Sequence, residues 1–237
     1  MLILGIDTAT TQVGCAIGGH EGVLASFHAT RGRQHAESLA PAIDFVRRQA
    51  HVEFSDIGVI AVDVGPGLFT GLRVGVATAK ALAHALRLPM IGVSSLDLLA
   101  FRVRYTNRLI VPVIDARRGE LFYAFYRQVP GGAQRLSPHQ VGKPSDLAWE
   151  LLATGEECLI VGDGALRYPE VFAEVARTEF GETANAYPSA AALVELAHAR
   201  ALREEFVPVW ELQPMYLRKA DAEINWATRD QRMREAG

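Results

Sequence analysis

Two cysteines in 237 residues cannot make a disulfide framework, and Cys15 and Cys158 both sit in apolar stretches, so the chain reads as reduced and cytoplasmic. Long hydrophobic runs are missing too, and none approaches the roughly eighteen apolar residues that a membrane-spanning helix needs. The opening, MLILGIDTA, lacks a basic start and meets Asp7 after a short apolar run, the expectation for a chain without a secretory signal. Charge of one sign is not in excess. Residues 1–105 carry nine basic and eight acidic side chains, the remainder fifteen and nineteen, so neither half is a nucleic-acid platform. There is no HExxH, CxxC or GxSxG, and no two of the seven histidines stand four apart, which removes the common metal sites and the nucleophile elbow. What remains is an ordinary globular mix, 49% hydrophobic and 22% charged. That excludes collagen-like and disordered classes, and the length suffices to bury a core without staples.

The chain opens with three short β-compatible runs, Leu2 to Ile6, Val13 to Ile17 and Val23 to Phe27, separated by polar turns: an antiparallel meander. From Gln34 to Ala50 the spacing becomes helical, with Leu39, Ile43 and Val46 on one side. DIGVIAVD at 56–63 reads as a strand covered on both faces, and a helix runs from Thr70 to about Leu86. Met90 to Val93 reads as another strand, after which Ser94 or Ser95 caps a helix. At Leu109 the pattern starts again. LIVPVIDARRGELFYAFY mirrors LILGIDTATTQVGCAIG, with Asp115 in the place of Asp7, 108 positions on. Either one supersecondary unit is repeated, or two strands happen to end on aspartate, a common turn residue. Further on, helices are expected near 145–152 and 189–203, with a strand at 158–161.

Two segments are candidate anion sites. The turn after Asp7, with Thr8, Thr10 and Thr11, could cradle a phosphate on backbone N–H groups and hydroxyls while Asp7 orients a metal-bound water. It contains no glycine, and the same residues serve equally as a hairpin that satisfies its own backbone. The loop GPGLFTGLR at 65–73 sits where an anion would meet a helix N-terminus. No Lys-Ser or Lys-Thr follows its glycines, and the plainer reading is a tight turn with Thr70 as N-cap. The helix that follows places Gly71, Gly75, Ala79 and Ala83 at four-residue spacing, flanked by Leu72 and Val76. Such a ridge of nearly bare backbone admits close approach of another element. That element is either the chain's own sheet and neighbouring helix or a partner protein.

The segments LILGIDTATTQVGCAIG, HAESLAP at 35–41, GPGLFTGLRVGVATAKALA at 65–83 and VSSLDLLA at 93–100 together resemble the TsaB, or YeaZ, family. PVIDARRGELFYAFY, VGDGA at 161–165 and PMYLR at 214–218 are later echoes. The resemblance implies an α/β actin-like ATPase (ASKHA) fold of two lobes, each a mixed sheet flanked by helices. The lobes would span 1–105, carrying the partner-binding helices, and a shorter 106–225, with a flexible tail at 226–237. It implies a non-catalytic subunit supporting TsaD in threonylcarbamoyl transfer to the adenosine beside the anticodon of tRNAs reading codons that begin with A. TsaD is then the heterodimer partner, engaged through a surface of Leu39, Ile43, Val46, Gly71, Leu72, Gly75, Val76, Ala79 and Ala83. TsaE is an associate, tRNA is met through the complex, and the free chain forms a homodimer. This chain would hold no cofactor or metal, ATP and a metal ion residing on TsaD, whose HxxxH pair is absent here. Family-typical glycine is replaced by Ala9 and Thr10 in the first hairpin, and Arg117-Arg118 occupy the second. A degenerate nucleotide cleft of Asp7, Thr8, Thr10, Thr11 and Asp115 is therefore expected. The competing reading from fold class is an ATPase or kinase-type enzyme with its own nucleotide site.

Overall fold

The computed structural model describes residues 1–30 and 35–218; the tail at 226–237, expected to be flexible, lies outside the described residues. Strand β1 (Leu2–Asp7) pairs antiparallel with β2 (Gln12–Gly19), Ile6 opposite Cys15, and β2 pairs with β3 (Gly22–Thr30), completing the meander. Helix α1 (His35–Gln49) leads to β4 (Ile57–Gly65), which lies parallel to β1 with Ile6 beside Val62. Helix α2 (Phe69–Leu86) then returns the chain to β5 (Met90–Ser94), parallel to β4, and α3 (Ser95–Arg102) closes the unit. The strand order is β3-β2-β1-β4-β5. Ser94 is the cap of α3, its side chain accepting from Leu96 N–H.

The second unit runs β6 (Leu109–Arg117), β7 (Glu120–Tyr123), β8 (Tyr126–Val129), β9 (Gly132–Arg135), β10 (Gln140–Gly142), α4 (Pro144–Thr154) and β11 (Cys158–Val161). Helices α5 (Asp163–Arg167) and α6 (Pro169–Ala173), strand β12 (Thr178–Phe180) and helix α7 (Ala190–Ala201) follow. Its main path, β10-β7-β6-β11-β12, repeats the first sheet strand for strand: two successive antiparallel pairings on one side of the leading strand, two successive parallel pairings on the other. The β8–β9 hairpin is an addition joined to β6 at Ile110. The hairpin likeness read in the sequence is thus a repeat of the whole unit.

Helices α1 and α2 cover one face of the first sheet, burying Leu39, Ile43, Val46, Val76, Ala79 and Ala83 against Leu4, Ile6, Cys15 and Ile60. The opposite face is covered by α3 and, from far down the chain, by α7: Leu193, Val194 and Ala197 pack on Ile3, Ala16, Val59 and Ile91. Residues 190–201, which sequence reading placed in the 106–225 lobe, therefore pack on the first sheet. Gly5 admits them, and Gly14 lies beside them with room for a methyl. A Cβ on Gly5 would stand 3.0 Å from Val194 Cγ2 and 3.1 Å from the Ala190 carbonyl, and one on Gly14 would stand 3.5 Å from Ala190 Cβ. The units meet through Leu96, Leu99 and Ala100 of α3, buried with Ile110, Ile114, Phe122 and Tyr126.

Candidate functional site

The polar centre of the first unit is built where β1 and β4 end. Apolar side chains bury both strands up to Asp7 and Asp63, which are themselves 0% and 1% exposed. Each carboxylate holds the backbone two residues on: Ala9 N–H donates to Asp7 Oδ1 at 3.0 Å, and Gly65 N–H to Asp63 Oδ1 at 2.8 Å. Ser95 Oγ donates to the same Asp63 oxygen at 2.6 Å. Burial pushes Asp7 up to about 6, while burial and the neighbouring Asp7 raise Asp63 well above the ordinary carboxylate range. In the second unit the hold of Asp7 on its own turn recurs at Asp115, while the second acid is bonded differently. Arg117 N–H donates to Asp115 Oδ1 at 2.9 Å, and Asp163, just past β11, accepts from Asp115 N–H at 3.0 Å. Burial pushes Asp163 up to about 6 as well.

The residues expected in a nucleotide cleft are placed as follows. Thr8 and Thr10 are buried and Thr11 is part-exposed. The Thr8 hydroxyl donates to the Gly71 carbonyl at 2.7 Å, and Thr10 Oγ1 accepts from Gln12 N–H at 3.2 Å. The Ala9 carbonyl accepts Leu68 N–H at 2.7 Å, and buried His35 reaches the Thr10 carbonyl through Nε2 at 2.7 Å. In the second hairpin Asp115 is clamped by Arg117 Nη1 at 2.9 Å and Arg167 Nε at 3.4 Å. The turn Arg117-Arg118-Gly119 is left-handed throughout, with φ of 66°, 57° and 78°. Two consecutive non-glycine residues there cost roughly 1–2 kcal/mol each, and the double hold of Asp115 on Arg117 offsets part of that. These groups do not fit a phosphate cradle: the first hairpin turns its Thr8 hydroxyl and Ala9 carbonyl into α2, and arginine already neutralises the second carboxylate.

The expected partner surface needs correction. Leu39, Ile43, Val46, Gly71, Leu72, Gly75, Val76, Ala79 and Ala83 are all buried inside this chain. The bare ridge is there to admit the chain's own hairpin: a Cβ on Gly71 would run into the Thr8 carbonyl, and one on Gly75 into Thr8 Oγ1. Thr70 is not the N-cap of α2 either. The helix starts at Phe69, and the Leu68 carbonyl takes the first bond, from Leu72 N–H at 3.0 Å. The outward faces of the same two helices carry other residues. On α1, Ala40 and Pro41 are exposed and Phe45 is 50% exposed; on α2, Ala77, Ala81 and Ala85 are exposed beside part-exposed Val74 and Thr78. The spacing 74, 77, 78, 81, 85 is one helical face.

Sequence reasoning found Asp7 and Asp115 but passed over Asp63, Ser95, His35 and Asp163. A signal was present, since the apolar runs of β4 and β11 also give way to an aspartate. Among the described residues there is no group of three or more His, Cys, Asp or Glu placed to hold a metal ion, and no helix long and apolar enough to cross a membrane.

The model of the family described as TsaD, tRNA N6-adenosine threonylcarbamoyltransferase, matches residues 23–226. The tRNA threonylcarbamoyladenosine biosynthesis protein TsaB of Bacillus subtilis is 31% identical over 228 residues, covering 95% of this chain and 98% of that protein. The crystal structure of YeaZ from Pseudomonas aeruginosa superposes with a TM-score of 0.80 at 27% identity, covering 91% of this chain and 99% of that one. The ethanolamine utilization protein EutJ of Carboxydothermus hydrogenoformans, at 12% identity and a TM-score of 0.53, shares the fold alone. With the repeated sheet order and the paired strand-end acids, these likenesses place the chain in the TsaB (YeaZ) family, on the actin-like ATPase fold.

Proposed function

We propose that this protein is the non-catalytic subunit that supports a TsaD-type transferase in making tRNA threonylcarbamoyladenosine. The observation that carries the reading is full-length likeness to proteins named for that biosynthesis. The state of its own cleft supports the non-catalytic part: Thr8 is spent on Gly71 and Asp115 on Arg117 and Arg167. ATP and the metal ion then belong to TsaD, TsaE joins the pair in the cytoplasm, and tRNA is met through the assembly.

The surface offered to TsaD is the outward face of α1 and α2, centred on Phe45, Ala77 and Ala81. Small residues on a helix face let a second helix come close, and an exposed aromatic beside them supplies the apolar anchor that interfaces favour. A related fold can present the same two helices, giving a four-helix contact, and a second copy of this chain takes that place when TsaD is absent. Co-purification with TsaD from the same organism tests it. Phe45→Glu and Ala77→Glu should abolish capture while leaving the fold intact, and Glu174→Lys on the second unit should change nothing. Folded Phe45→Glu and Ala77→Glu proteins that retain TsaD like the parent would sink the reading.

A further inference from the structure

We propose that Asp7 and Asp63 hold one proton between them, and that this shared proton keeps α2 seated for its partner. The claim about α2 rests on the partner reading above; the claim about the proton does not.

The donors around the two acids are unevenly spread. Ala9 N–H goes to Asp7 Oδ1, while Gly65 N–H and Ser95 Oγ–H go to Asp63 Oδ1. Each Oδ2 is buried with no other partner. The two side chains lie within hydrogen-bonding reach of each other, because β1 and β4 run parallel and Asp7 and Asp63 follow the Ile6–Val62 pair. Two bare carboxylate oxygens side by side in a dry interior repel strongly, whereas one proton between them turns both into hydrogen-bonding partners. The proton belongs to the pair: burial raises both acids, and each buried Oδ2 is able to carry it. His35 on α1 is the other titratable group bearing on Asp7, and its Nε2 is engaged by the Thr10 carbonyl. Strands β2 and β5 and helices α2 and α7 bring apolar side chains and glycine to this region, the turn after β1 brings Thr8, and α3 brings Ser95.

The same two acids fix the arms that grip α2. Asp7 orders the turn whose Thr8 hydroxyl and Ala9 carbonyl bind Gly71 and Leu68, and Asp63 orders Gly65, where the loop into α2 begins. Loss of the shared proton places two like charges at the root of both arms. The arms part, and α2 loses its seat.

The sign follows from linkage. The folded state holds a proton that the unfolded chain has released above about pH 4, so this contribution to stability is full below that pH and is lost as pH rises. Above about pH 6, and until the shared proton leaves, the unfolding constant of the parent should climb about tenfold per pH unit relative to Asp63→Asn, whose amide donates the same bond without a titrating proton. Urea unfolding across that range reads the difference; Asp163 contributes to both proteins alike and cancels.

The unmodified chain gives an independent reading by carbon NMR of labelled aspartate Cγ. The expected result is one carboxyl of the pair still protonated at pH 7. Two carboxylates both ionised by pH 6, or parallel stability profiles for parent and Asp63→Asn, would overturn the proposal. A third arm measures TsaD capture at two pH values, one below and one above that at which the carbon NMR shows the shared proton leaving: the parent should lose affinity at the higher and Asp63→Asn should keep it. Capture by both that is equal at the two values would overturn the link to α2. Capture at neither would refute the partner reading while the NMR result stands on its own.

Discussion

Replacing Gly75 by alanine tests how the α2 ridge is used. At an open helical position the change stabilises by about 1 kcal/mol, because alanine loses less backbone freedom than glycine. Here the new methyl meets Thr8 Oγ1, whose hydrogen is donated to Gly71 at 2.7 Å. Thr8 is buried, so its hydroxyl cannot turn to water. Displacing it strands a buried polar group, which costs roughly 1–3 kcal/mol, and over-filling the contact costs a further 1–3 kcal/mol or so. Subtracting the propensity gain leaves a loss of about 1–5 kcal/mol. Urea unfolding of the free chain measures it directly. The paired variant sharpens the reasoning: Thr8→Ala removes the atom in the way, so Thr8→Ala/Gly75→Ala should recover roughly 1–3 kcal/mol relative to the sum of the singles. A Gly75→Ala protein about 1 kcal/mol more stable than its parent, or strict additivity in the pair, would mean that the ridge does not pack on the hairpin.

Other perturbations follow from particular contacts. Leu193→Ala on α7 empties a site against the first sheet and should cost about 2–5 kcal/mol, with hydrogen exchange of β1 and β4 amides accelerating; unchanged exchange there would place α7 elsewhere. Tyr126→Phe removes the donor of the 2.7 Å bond to Asp97 that links the two units and should cost roughly 1–2 kcal/mol in thermal or urea unfolding. Asp163 is pushed up to about 6, so its contribution is full below the unfolded value and fades as pH rises through 6. Asp163→Asn should therefore be more stable than the parent at pH 7 and flatter between about pH 4 and 6, as read from unfolding midpoints at stepped pH.

Sequence pattern alone sets the meander, α1 to α3 with β4 and β5, the β6–β7 hairpin, α4, β11 and α7, though not β8 to β10, α5, α6 or β12. Runs such as LILGID and DIGVIAVD are too apolar for anything but buried strands, and the 3.6-residue spacing of Leu39, Ile43 and Val46 makes a helix with one inward face. The repeat was legible at Asp7 and Asp115 because a strand-ending aspartate that binds its own backbone leaves a local signature. What lies against a face is a different kind of fact. A ridge of glycine and alanine announces close approach without naming the neighbour, and only the tertiary structure assigns Gly71 and Gly75 to Thr8. The face proposed for the partner thereby moves to Phe45, Ala77 and Ala81 on the other side of the same helices. Likewise α7 returns across about 180 residues to Gly5 and Gly14, and Asp63 meets Asp7 across 56. Periodicity fixes which side of a helix is apolar because it depends on neighbours three and four apart. Packing between distant segments depends on complementary shape and buried charge, which no local spacing encodes.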